Sequence, residues 1–174
     1  MPMTLHSAFV PTCLQVLGAL SGILEKAEAH CAEHGLDAED LIGARFAADM
    51  NDFAYQVKSC LVHSAIAVES CKAGSFSPDS SLAPRNFAGL RALVTNAIRR
   101  LEQVQETDME ALIGKPIQFT IPGVVDWSFD ADQFLLTFSQ PNFFFHATTA
   151  YDLLRWKGVP LGKMNFLGAL RMAG

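Results

Sequence analysis

The sequence predicts an all-α protein, a four-helix bundle with a small β-hairpin between its third and fourth helices. Three observations predict it. Apolar residues recur at three- and four-residue intervals over four long segments, which is the helical period and not that of a strand. Most of these segments begin at an Asn or Asp able to cap a helix or end at a glycine. One short stretch, from Lys115 to Phe129, instead alternates around Pro122-Gly123, as a hairpin does.

In the first segment Leu5, Phe9, Cys13, Val16, Leu20, Ile23, Leu24 and Ala27 form the stripe, and the helix is expected to run to His34 and stop at Gly35. Pro11 predicts a kink or a later start. A short helical piece over Asp37 to Ile42 and a connector from Arg45 to Asn51 follow. Asn51 or Asp52 caps a second helix, Phe53 to Ala73, which Gly74 ends; between Cys60 and Val68 it is apolar almost all round, which places it centrally. Ser75 to Arg85, with two prolines and four serines, reads as a loop. Asn86 caps the third helix, whose stripe is Phe87, Leu90, Leu93, Val94, Ala97, Ile98 and Leu101. The last helical region, Ala131 to Lys157, opens at Asp130 or Asp132, is interrupted by Pro141, and closes at Gly158.

The chain of 174 residues is read as one domain, 1–174, long enough to bury roughly 70% of its unfolded surface without disulfides. Charged residues make up 18%, against about 25% in ordinary domains, so apolar surface is left over for a partner subunit. The net charge of −5 repels phosphate backbones and anionic lipid, which argues against nucleic acid and membrane partners. The apolar run Phe9 to Leu24 contains Pro11, Gln15 and two glycines and reads as neither a signal peptide nor a span. Cys13, Cys31, Cys60 and Cys71 have no metal or redox spacing; they read as buried, reduced thiols of a cytoplasmic protein.

Bundles hold ligands with side chains projected from facing helices, so polar residues in mid-helix are the candidates. His63 and His146 qualify. Either imidazole suits a core hydrogen bond as readily as a metal, because a tight site needs three or four donors. The pocket expected around them takes Gln56, Cys60, Asn142, Thr149 and Tyr151. Two imidazoles sharing one metal at about 2.0–2.1 Å per ligand must come within about 4–5 Å of each other. His30 and His34 share a face, yet they lie in a last turn, where a positive side chain caps the helix C-terminus. Cys60 with His63 has the spacing of a thiolate and its base, without an orienting carboxylate nearby. Phe143-Phe144-Phe145 wraps about 200° of helix surface, so at least one ring must face outward or into a second subunit.

The run from Pro141 to Lys163, with Asn165-Phe-Leu167, resembles the C-terminal signature of an uncharacterised bacterial family of unknown function allied to the DinB-like, or YfiT-like, metalloenzymes. Ala48-Asp-Met50 and Gln56-Val57 extend the resemblance over most of the chain. It implies a homodimeric bundle of the up-down-down-up type, with zinc or nickel held by one His of the second helix and an H-x-x-x-H pair of the fourth. His63 resembles the first of these ligands and His146 the second. The third position is Ala150, which has no donor. The expectation is therefore a degenerate or altered metal site. A metal-dependent hydrolase or thiol transferase, its site completed by Cys60 or Asp49, and a module binding a small molecule or partner helix are the alternatives.

Overall fold

The first helix, α1, spans Leu5–His34 in the computed structural model, which describes residues 3–172. Thr4 and Ser7 close a reciprocal cap at its start: the Thr4 hydroxyl accepts from the Ser7 amide (3.1 Å), and the Thr4 amide donates to the Ser7 hydroxyl (2.9 Å). This cap fixes the start before Pro11, so the helix runs through the proline and the expected later start does not occur. A short helix α2, Glu39–Ile42, follows; it begins two residues later than the sequence suggests, because Asp37 accepts from the Glu39 amide and stays outside it.

The second rod is α3, Phe53–Leu61, then a π-turn, Val62–Ile66, then α4, Ala67–Ala73. Asp52 caps it by accepting from the Tyr55 amide (3.1 Å). Gly74 ends it at φ +77°, a conformation that favours glycine, and turns the chain straight into β1, Ser75–Phe76. The stretch expected to be pure loop therefore opens with a strand. Two residues are too few to show alternation in sequence.

The third rod, α5, is Phe87–Glu102, capped by Asn86 through the Gly89 amide (2.7 Å). A short helix α6, Glu106–Glu110, comes next, a turn whose polar residues gave no periodicity to read. Strands β2, Pro116–Ile121, and β3, Val125–Asp130, pair antiparallel with Phe119 opposite Trp127, and β1 adds to β2 in parallel with Phe76 beside Phe119. The expected hairpin is thus two strands of a three-stranded sheet, and the molecule is mostly helical with a small sheet rather than all-α. Ile117 and Phe119 turn inward, while Gln118, Asp126 and Ser128 hydrogen-bond along the outer face.

The fourth rod is α7, Ala131–Gln133, a π-turn, Phe134–Ser139, and α8, Gln140–Trp156. Pro141 does not interrupt it. The proline lies in the first turn of α8, directly after the widened π-turn, where its missing N–H and its ring are accommodated. A last helix, α9 (Lys163–Leu167), which the sequence did not suggest, lies on α1. The Gln15 amide donates to the Leu167 carbonyl (2.8 Å), and Gly168 (φ +64°) comes so close that a Cβ there would sit 3.0 Å from that of Ala19.

The rods pack in a ring: α1 on α5, α5 on α3, α3 on α8, and α8 on α1. Phe9, Phe53, Phe134 and Phe143 are fully buried between them. Alone among the described residues, α1 is long and apolar enough to cross a membrane, with a mean hydropathy of 1.6 over its most apolar window. Its stripe from Leu5 to Cys31 is buried against the other rods, so its apolarity is used by the core.

Candidate functional site

Because α3 and its π-turn lie against α8, His63 and His146 meet. Their ring centroids are 5.6 Å apart and the planes differ by 14°, a stacked arrangement. Both line one cavity of about 290 Å³ between the second rod, the fourth rod and the sheet. His63 projects from the π-turn, a helical irregularity frequent at functional sites, and its ring lies 5.8 Å from Phe76 and 5.7 Å from Phe138.

Gln56 sets the state of His146. The Gln56 amide nitrogen donates to the Asn51 carbonyl (2.9 Å), so its oxygen must face the other way, where it accepts from His146 Nδ1 (2.7 Å). His146 therefore carries its proton on Nδ1 and presents an unprotonated Nε2. Burial lowers its pKa to about 4; burial, and then His146 alongside, lower that of His63 to about 3. Both rings are neutral at pH 7. His63 Nδ1 is buried with no hydrogen-bond partner among the described residues.

The other expected pocket residues separate. Asn142 lines the cavity and donates to the Phe138 carbonyl (2.7 Å). Gln56 stands behind His146. Cys60 is sealed in the core, its thiol pushed up by burial and donating to the Gln56 carbonyl (3.4 Å), so it is no thiolate and His63 is not its base. Thr149 is buried away from the cavity lining, and Tyr151 packs edge-on against Phe166 at 5.8 Å, since five residues of helix turn it far from His146. The His34 ring donates from Nδ1 to the His30 carbonyl (2.9 Å) at the end of α1, a terminal role without metal geometry.

The cavity also contains groups the sequence reading passed over. Lys58 is buried on α3 and donates to the carbonyls of Asp79 (2.9 Å) and Ser81, with the Asp79 carboxylate at 3.0 Å. A lysine on a buried helix face must find acceptors, and the serine-rich loop after β1 supplies them; that lysine was the signal available in the sequence. The Ser81 amide, above all, holds the Asp79 carboxyl below the usual range. Phe76, Phe119 and Phe138 furnish the apolar wall.

A zinc or nickel ion does not fit this donor set. Among the described residues no three of His, Cys, Asp or Glu are grouped to hold one. Ala150 is fully buried and has no donor, and Asp49 is exposed outside the cavity lining.

The mostly helical ring of rods with its small three-stranded sheet is a DinB-like fold. The chain belongs to the DUF1993 family, a domain of unknown function, whose model matches residues 5–167. It is similar to the crystal structure of a DinB family member from Shewanella denitrificans, with a TM-score of 0.82 and 27% identity over 98% of this chain and 95% of that one. No curated protein matches it.

Proposed function

We propose that this is a DinB-like four-helix bundle of the up-down-down-up type in which the metal position has been altered, leaving a cavity that binds a small organic molecule through hydrogen bonds. The observation that carries this reading is the pair of stacked, neutral imidazoles with no third His, Cys, Asp or Glu grouped with them among the described residues. The ring of contacts among the four rods supports the bundle. The four free, buried cysteines suit a reducing compartment such as the cytoplasm.

Elemental analysis of protein purified without a polyhistidine tag, followed by calorimetric titration with zinc and nickel, tests the altered site. The expected result is far less than one metal per chain and no tight uptake. One transition metal per chain, lost in both His63→Ala and His146→Ala, would overturn it and restore the metal-dependent hydrolase or thiol-transferase reading.

The homodimer belongs to the same proposal. Phe145 (56% exposed) and Trp156 (60% exposed) lie about 20° apart around α8, and Phe46 packs at a tilt on Trp156 at 5.5 Å, giving an outward aromatic stripe.

A further inference from the structure

The polar edges of the two rings are unlike each other. Gln56 leaves His146 with a lone pair on Nε2, which makes no hydrogen bond among the described residues and is not sealed from the cavity. His63 is the reverse case. Its Nδ1 is sealed and unpartnered, and a buried N–H without an acceptor costs more than a buried lone pair without a donor, so its proton belongs on Nε2. His63 Nε2, which faces the same cavity, is likewise without a hydrogen bond among the described residues and is not sealed. Side by side, one ring donates and the other accepts.

The rest of the lining narrows what can enter. Phe76, Phe119 and Phe138 make the apolar side of the cavity, and of the three only Phe138 is partly open, which suits contact with one aromatic ring. The one ion pair in the lining, Lys58 with Asp79, is matched internally and completed by two carbonyls, so no spare charge is offered to a guest. At about 290 Å³ the cavity is near the lower end of ligand sites, about 300–1,000 Å³.

Resting on the reading of this cavity as a ligand site, we infer that it takes an uncharged hydroxyaromatic molecule, a phenol, whose O–H donates to His146 Nε2 while its oxygen accepts from His63 Nε2–H and its ring packs on the apolar side of the cavity at Phe138. A single hydroxyl meets both imidazoles, which neither an ether nor a carboxylate does.

The test uses the full chain, treated with chelator and its metal content measured, titrated with 4-methylphenol, 4-methylanisole and benzoate. Binding is followed by calorimetry and by the ring nitrogen signals of the histidines. The phenol should bind with a dissociation constant below about 1 mM. It should also move the His146 Nε2 and His63 Nε2 resonances. The anisole, which lacks the donor, should bind about ten-fold more weakly, as loss of one hydrogen bond predicts, and benzoate weaker still. His146→Phe should erase the preference of phenol over anisole. Because the wild-type comparison carries the result, that variant need not fold well. Equal affinity for phenol and anisole, tighter binding of benzoate, or no phenol binding by metal-free protein would overturn the inference. Phenol binding that appears only on addition of metal would overturn the altered-site reading beneath it as well, whereas failure with and without metal would leave that reading standing.

Discussion

Single residues decide what the cavity can do. His63 and His146 were legible as mid-helix imidazoles with no obvious third ligand. Gln56 was legible only as a neighbour by helical rotation, because its effect depends on the Asn51 carbonyl five residues back. Replacing Gln56 by Leu should leave His146 Nδ1 unpaired and cost about 1–3 kcal/mol. It should also shift the ring from the Nδ1–H form toward Nε2–H, read from long-range nitrogen correlation spectra. The imidazoles further make stability depend on pH. Their folded pKa values, about 3 and about 4, lie below the unfolded value near 6.5, so between those limits the unfolded chain binds more protons. Stability is therefore complete above about pH 6.5 and falls as the solution is acidified, by up to about 1.4 kcal/mol per pH unit for each histidine, levelling off below about pH 3. Urea midpoints at pH 7.5, 6 and 5 should decline in that order, and less steeply in His63→Phe.

At the scale of elements, the rods were legible because their apolar period is long and their caps are explicit: Asn86, Gly35 and Gly74 stand where the sequence put them, and of the two caps it offered for the second rod, Asn51 and Asp52, the second is used. What was not legible is short or cooperative. β1 has two residues, α6 and α9 have five each, and none carries a period. Tyr151, five residues past His146, faces another side of α8 and packs on Phe166, so nearness in sequence does not bring it to the cavity. The triple phenylalanine separates cleanly by face: Phe143 is fully buried, Phe144 is partly buried and Phe145 is exposed. Phe143→Ala should cost about 3–5 kcal/mol in denaturant unfolding, whereas Phe145→Ser should change folding stability by no more than about 0.5 kcal/mol. The loop after β1 depends on one ammonium. Lys58→Met strands two carbonyls and should cost about 1–3 kcal/mol. Hydrogen exchange and protease cleavage should rise within residues 77–85, leaving the rods protected.

For the whole molecule, the shortage of charge noted in the sequence finds a counterpart in the aromatic stripe of Phe46, Phe145 and Trp156. Sedimentation of the wild type should report a dimer, and the double variant Phe145→Ser, Trp156→Ser should sediment as a monomer with its helical circular dichroism intact. Both imidazole-bearing rods share a further peculiarity, since each carries a wide turn of five or six residues, Val62–Ile66 midway along the second and Phe134–Ser139 near the start of the fourth. Such a turn holds one surplus residue relative to a regular winding. Deleting a single amino acid there, for instance Ala65, is thus the one kind of shortening the second rod could absorb without losing phase. The same deletion eight residues earlier would swing everything beyond it through about 100° and carry Val68 and Cys71 out of the interior.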